Sequence, residues 1–412
     1  MLENLPIVTT GSALSKLYPY APPELPAPYA PSRALRDIRL HEIDLYVTMK
    51  CNIHCDFCSV RAGEYHHHDL PLDRILALID EAAALGLEEL HFLGGEPTLR
   101  RDLEQMVEHA ARLGVSTRII TNGMLLPRER IQGLIDAGLG EVMISVDGLH
   151  DTHTQLRHSG ESGWEKSMEC ARNCIDLGIR TRVSTAAYRT NYDDVLPLLD
   201  LVDSIGADCY SVFLGSPLGR GHGMLGDVID PYRWRELQEA VARRVPSLRP
   251  DLDIIMEAGF QWSDGPVVDR AQLKGRGTGC NTLLDDYDYL IVRSDGNLYQ
   301  CVFFMTEGKP IGSIASQPLL PTLQYALELA EYEGFTVAQD KCISCSHQTS
   351  CGTGCRGYAY LYNGNWLTTD PRCSKEEPAL EEAPPYFPLC PILKQNVRTG
   401  GFGGSSEDAL NK

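Results

Sequence analysis

Six short apolar runs alternate with helix-patterned segments between residues 42 and 214, and that alternation leaves few folds open. The strand-like runs are Glu42–Met49, Glu89–Leu93, Ser116–Thr121, Glu141–Ser145, Arg180–Ala186 and Asp208–Leu214. Leu72, Ile75, Leu76 and Ile79 form one stripe of a helix over Leu72–Leu85, with Gly86 after its end; Leu99–Leu113 reads as a second helix followed by Gly114. Six such units in series predict an α/β fold, a parallel sheet curled into an open, partial (β/α)6 barrel of the TIM type. Sheets of this kind carry their sites at the carboxyl ends of the strands.

The chain is richest in chemistry at those ends. Cys51, Cys55 and Cys58, in Cys-x-x-x-Cys-x-x-Cys spacing, follow the first run, and Gly94-Gly95-Glu96-Pro97 closes the second. Thr121-Asn122-Gly123 follows the third run and Ser145-Val146-Asp147-Gly148 the fourth. Three close thiolates suit a zinc knuckle or an iron–sulfur cube; a cube normally takes four, so three would leave one iron open to a cofactor. Glycines at 94 and 95 let the backbone approach a ligand closely, although an ordinary turn would use them too.

Together these motifs resemble the radical S-adenosylmethionine (SAM) superfamily, including the aromatic residue, Phe57, just before the last cysteine. The resemblance implies a [4Fe–4S] cluster on Cys51, Cys55 and Cys58 whose open iron chelates SAM. It implies that Gly94, Gly95, Glu96 and Pro97 hold the SAM amino group, that Ser145 contacts its carboxylate or ribose, and that Asn122 flanks the adenosine. Cleavage of SAM to a 5′-deoxyadenosyl radical would follow. Arg157 and Lys166 could each pair with the SAM carboxylate, but on a predicted helix they read first as exposed charges.

A second cysteine field lies in the last third. Fifteen residues separate Cys280 from Gly296 and four separate Gly296 from Cys301; Cys342, Cys345, Cys351 and Cys355 follow in Cys-x2-Cys-x5-Cys-x3-Cys spacing, with Cys373 beyond. A zinc ribbon would explain Cys342–Cys355 alone. The whole series resembles the cysteine-rich C-terminal extension, called SPASM, of one radical SAM branch. Pro217-Leu218-Gly219-Arg220-Gly221 resembles a segment of that branch as well. The resemblance implies two auxiliary [4Fe–4S] clusters, three clusters in all. Cys342, Cys345, Cys351 and Cys373 would hold the outer one, and Cys280, Cys301 and Cys355 the inner one. No cysteine stands between Cys280 and Cys301, so the inner cluster either has an open iron or takes another ligand. Cys390 is a candidate for that place or a buried free thiol; Asp285, Asp286, Asp288 and His347 are weaker ones.

These features divide the chain into a proline-rich segment (1–40), the barrel (41–224), a connector with a helical stretch around Pro231–Val245 (225–275), the auxiliary-cluster domain (276–395) and a tail (396–412). Eleven of the fourteen cysteines fall in metal-type spacings, which in a long chain without a signal peptide points to metal binding in a reducing cytoplasm. Cys170, Cys174 and Cys209 read as core residues and His66–His68 as a solvated loop. A formal net charge of −19 argues against nucleic acid, and no apolar run is long enough for a membrane span.

The chemistry expected is oxidative, with the auxiliary clusters accepting electrons from a substrate radical and a flavodoxin or ferredoxin as donor. Relatives in the branch mostly modify peptides, so the leading expectation is oxidation or crosslinking of a ribosomally made peptide. The alternative is a small metabolite or a tetrapyrrole-type intermediate. An iron–sulfur protein without SAM chemistry would leave Gly94–Pro97 and Ser145 unexplained. Sulfatase maturation is disfavoured because Val302 stands where those enzymes have an aspartate. Forty residues before the barrel are too few for a leader-binding domain of about 80 residues, so a peptide would come with a separate carrier or no leader. No catalytic side chain is assigned.

Overall fold

The computed structural model describes residues 38–65, 67–256, 289–306, 308, 310–333, 355–363, 368 and 370. All six expected strands form: β1 (Glu42–Thr48), β2 (Glu89–Gly94), β3 (Ser116–Thr121), β4 (Glu141–Ser145), β5 (Arg180–Ala187) and β6 (Cys209–Leu214). They pair in parallel in chain order, with helices between them. Four further strands extend the sheet beyond this reading. β7 (Asp253–Met256), inside the expected connector, adds in parallel to β6. β8 (Tyr289–Val292) adds in parallel to β1 at the opposite edge, and β9 (Asn297–Tyr299) and β10 (Gly312–Ser313) continue it antiparallel. The result is a ten-stranded open sheet, β10-β9-β8-β1-β2-β3-β4-β5-β6-β7.

Alternation along each strand sends one face to the helices and the other into the concave side. Ile43, Leu45 and Val47 of β1, Leu90 and Phe92 of β2 and Ile119 of β3 join the helix-side core. The helices supply the matching stripes. α1 (Leu72–Ala84) buries Ile75, Leu78, Ile79 and Ala82 and ends at Gly86, whose φ of 89° is left-handed. The second expected helix is split. Pro97–Leu99 forms one 3-10 turn capped by Glu96, Arg100 is extended, and α2 runs Leu103–Arg112. Glu96 and Pro97 set up a tight local turn that ends before the helix can continue. The helices α3 (Arg128–Asp136), α4 (His150–Arg157), α5 (Gly163–Asp176), α6 (Val195–Ile205) and α7 (Pro231–Arg244) follow. Cys170, Cys174 and Cys209 are buried, as expected of core thiols. Among the described residues no helix is long and apolar enough to cross a membrane.

The concave face is layered. Glu42 and Asp44 (β1), Glu89 and His91 (β2), Arg118 (β3), Glu141 (β4) and Arg180 and Arg182 (β5) form a charged floor at the amino ends, beside a cavity of about 320 Å³. Glu141, 7% exposed, accepts from Arg180 Nε (3.1 Å) and Arg182 Nε (2.6 Å) and pairs ionically with Arg118, whose Nε lies 2.8 Å away. His91 is placed between Asp44 (2.9 Å from Nδ1) and Glu89 (3.2 Å from Nε2), while Arg118 Nη1 also faces Nε2 at 2.9 Å. A proton on Nε2 suits Glu89 and a lone pair suits Arg118. Burial also opposes the charge, yet the two carboxylates win and raise the His91 pKa from 6.5 to about 9. Because the folded pKa is raised, this stabilisation is fully present below pH 6.5 and lost as pH climbs through about 9. Relative to His91→Gln, the wild type is expected to lose on the order of 3 kcal/mol across that window. Denaturant titrations at pH 6, 7.5 and 9 check this; parallel pH profiles for the two proteins would refute it.

Candidate functional site

The loop after β1 carries the first three cysteines and turns back on itself. Cys58 N–H donates to Cys55 O (3.3 Å), Arg61 N–H to Cys58 O (3.3 Å) and Gly63 N–H to Met49 O (2.7 Å), while Ala62 N–H points at Cys58 Sγ (3.3 Å). The three thiols are near enough to influence one another's ionisation. Burial pushes the Cys55 thiol up to about 12, with Arg157 opposing and Cys58 adding to the rise; burial also raises Cys51. A metal bound by these thiols would have to displace their protons.

The Gly-Gly-Glu-Pro turn is pressed against this loop. Gly95 N–H donates to Thr48 O and Glu96 N–H to Lys50 O, both at 2.8 Å. A Cβ on Gly94 would lie 2.2 Å from Thr48 O, and one on Gly95 2.1 Å from Lys50 O, so only glycine allows the approach. Glu96 is 1% exposed and its carboxylate is heavily used within the fold. Oε1 accepts from Thr98 N–H (3.1 Å), Thr98 Oγ1 (2.6 Å) and Thr121 Oγ1 (2.7 Å), and Oε2 from Asn122 N–H (2.9 Å). It ties the ends of β2 and β3 together. Pro97, buried, opens the 3-10 turn behind it. Asn122 in turn donates through Nδ2 to Asn52 Oδ1 (2.8 Å), inside the cysteine loop. Ser145 is half-buried at the end of β4, and among the described residues its hydroxyl has no hydrogen-bond partner.

Arg157 differs from the expectation of an exposed helix charge. It is 9% exposed, pairs through Nε with Asp147 Oδ2, and lies 5.5 Å from the centre of the Phe57 ring. Burial works against its charge, and Asp147 followed by the Cys55 thiol outweighs it. Asp147, 1% exposed, also accepts from Ala186 N–H (2.6 Å). Its own N–H donates to Nδ1 of His153 (3.2 Å), an imidazole that burial and then Arg157 keep neutral, with a pKa lowered to about 3. His153, Leu156 and Arg157 form an i, i+3, i+4 stripe on α4, a buried-face signal present in the sequence but carried mainly by polar residues. Lys166 is exposed, as expected. His67, expected in a solvated loop, is half-buried, with Nε2 2.8 Å from Ser294 Oγ, while His68 is exposed.

Of the C-terminal cysteines, Cys301 and Cys355 are described. Cys280, Cys342, Cys345, Cys351, Cys373 and Cys390, with Asp285, Asp286, Asp288 and His347, lie outside the described residues. Cys301 precedes α8 (Val302–Thr306) and Cys355 precedes the helix Arg356–Asn363, which follows α9 (Leu319–Glu333) and is α10 here. These short helices pack closely: a Cβ on Gly357 would lie 2.5 Å from the Phe303 ring, and the Phe303 and Tyr358 rings meet at a tilt of 58° with centroids 4.8 Å apart. The two cysteines are thereby drawn to one neighbourhood. Cys51, Cys58 and Cys301 border the same small apolar cluster of Tyr46, Met49, Leu93, Tyr299 and Phe304.

The loop suits an iron–sulfur cube better than a single zinc ion. The sulfurs of a tetrahedral zinc site, with Zn–S near 2.3 Å, stand about 3.8 Å apart. Among the described residues the one set of three ligand-type atoms all within 4.8 Å is Glu42, Asp44 and His91 in the floor, so the three loop thiols span more. The floor set itself is committed to the ion-pair network beside Arg118.

Residues 45–202 match the model of the Radical SAM superfamily. The "PqqA peptide cyclase" of Rhodopseudomonas palustris is 27% identical over 356 residues, covering 80% of this chain and 85% of that protein. The "AdoMet-dependent heme synthase" of Nitratidesulfovibrio vulgaris is 24% identical over 338 residues, covering 80% and 90%. Among solved structures, Streptococcus suis SuiB bound to S-adenosylmethionine aligns with a TM-score of 0.69 at 19% identity, covering 82% of this chain and 78% of that one, a likeness of fold.

Proposed function

Because this chain belongs to the radical SAM superfamily, we propose that it is an oxidative maturase that modifies or crosslinks a ribosomally made peptide by C–H abstraction. The observation that carries the chemistry is the close packing of the Gly94–Gly95 turn against the backbone that leads into the three-cysteine loop. Bound there, a [4Fe–4S] cluster and SAM would supply a 5′-deoxyadenosyl radical by one-electron reductive cleavage.

The chain's own residues do the rest. Cys51, Cys55 and Cys58 hold the cluster. The Gly94–Pro97 turn receives the SAM amino group on its backbone, while Glu96 keeps that turn rigid through its four internal hydrogen bonds. The hydroxyl of Ser145 and the Arg157 guanidinium would serve the SAM carboxylate and ribose, and Asn122 the adenosine. The belt of Leu93, Ile120, Met143 and Phe213 on the concave face, above the charged floor, seats the substrate and keeps water from the radical. Cys280, Cys301 and Cys355 hold an inner auxiliary cluster, and Cys342, Cys345, Cys351 and Cys373 an outer one. A ferredoxin- or flavodoxin-type carrier delivers the electron.

The likeness to a peptide cyclase over 80% of this chain supports a peptide substrate. The likeness to a heme synthase over a similar span favours, as a second reading, the same chemistry on a tetrapyrrole-type intermediate. Anaerobic co-expression with short peptides encoded beside the gene, followed by intact mass, tests the choice. A peptide lighter by hydrogens is the expected result. Unchanged peptides from a cluster-loaded chain that still cleaves SAM would overturn the peptide reading.

A further inference from the structure

One residue with no part in the chemistry grips the cysteine loop from the far side of the sheet. Arg220 stands in the Pro217–Gly221 segment after β6, with its side chain 10% exposed. Its main-chain N–H donates to Cys58 O (3.0 Å). Its guanidinium donates through Nε to Cys55 O (2.8 Å), and through Nη1 to Ala62 O (2.9 Å) and Glu64 Oε1 (2.9 Å). Gly219, at a left-handed φ of 58°, presses the segment home: a Cβ there would lie 2.3 Å from Ser59 O and 2.5 Å from Cys58 O. The other end of the segment meets the helix that follows Cys355. Ser216 O accepts from Tyr188 Oη (3.0 Å), and Ser216 Oγ lies 2.8 Å from Tyr358 Oη, three residues after Cys355.

A loop that must aim three thiols at one cluster has to fix the backbone between them, because a cysteine side chain has little reach of its own. Two of the three ligand residues have their carbonyls held by Arg220, and the carbonyl that closes the loop, Ala62 O, is held by the same guanidinium. The main-chain N–H of Arg220 holds Cys58 O whatever the side chain, while the forked donors of the planar guanidinium satisfy Cys55 O, Ala62 O and Glu64 together, of which a lysine can meet only some. Resting on the cluster reading above, we propose that Arg220 is a positioning residue for the first iron–sulfur site, holding Cys55 and Cys58 in ligating geometry and anchoring that geometry to the segment that meets Tyr358.

The test compares wild type, Arg220→Ala, Arg220→Lys and the Cys51/Cys55/Cys58→Ala triple variant, each reconstituted anaerobically with iron and sulfide. Iron missing from the triple variant is the first-site iron, and a SAM-induced change in the EPR spectrum of the reduced chain reports its geometry. R220A is expected to surrender first-site iron to a chelator about 10–100-fold faster than wild type, the range for loss of a ligand-orienting partner. It should also lose the SAM-induced EPR change while its circular dichroism stays that of wild type. R220K should recover part of both. Wild-type release rates and an intact SAM response in R220A would overturn the proposal. If R220A does not fold, R220K decides by the same two readouts: faster release supports the role and wild-type behaviour refutes it. A triple variant with the same iron content and SAM response as wild type would instead overturn the cluster reading itself.

Discussion

Replacing Cys51, Cys55 and Cys58 together by alanine is expected to reduce SAM cleavage to background, with the barrel still folded. The cluster does the difficult chemistry, so no side chain remains to carry a residual rate once its ligands are gone. The fold should survive because the loop's shape comes from main-chain bonds: Gly95 to Thr48, Glu96 to Lys50, Gly63 to Met49 and the Arg220 contacts. None of these uses a thiol. Assaying 5′-deoxyadenosine under dithionite, beside circular dichroism of the same samples, separates the two effects. Cleavage persisting at the wild-type rate would mean that the ligands lie elsewhere in the chain.

Asp147→Ala carries the largest stability effect, a loss of about 3–5 kcal/mol. The carboxylate is 1% exposed, and removing it strands the buried Arg157 guanidinium without a counter-charge. It also leaves Ala186 N–H without its acceptor. Breaking one side of a buried pair costs more than removing both, so Asp147→Leu with Arg157→Met should recover much of the loss. Denaturant melts of the three proteins read this directly. A single variant within 1 kcal/mol of wild type, by rough count a surface-like effect, would show that water reaches the pair.

How much of the molecule was legible differs by region. β1 to β6 appear within a residue or two of their apolar runs, because each is a short, largely buried strand between helical stripes. β7 and β8 were not legible. Asp253–Met256 and Tyr289–Val292 are four-residue segments that become strands only because the edges of β6 and β1 offer them ladders. The expected exposure of Arg157 failed for a related reason. A charged residue on a helix is solvated unless the helix docks beside a buried partner, and Asp147 belongs to a different element.

The sequence alone determined the α/β alternation, the first cysteine loop and the Gly94–Pro97 turn. These depend on short-range facts: which strand ends carry thiols at ligand spacing, and where only glycine lets one carbonyl approach the next turn. Tertiary structure alone decided that Glu96 spends its carboxylate on Thr98, Thr121 and Asn122, that Arg157 is buried against Asp147, and that Arg220 reaches more than 150 residues back to the cysteine loop. An arginine's role is set by which acceptors lie within reach of its long side chain, and those are chosen by how distant strands pair rather than by any pattern around the arginine itself.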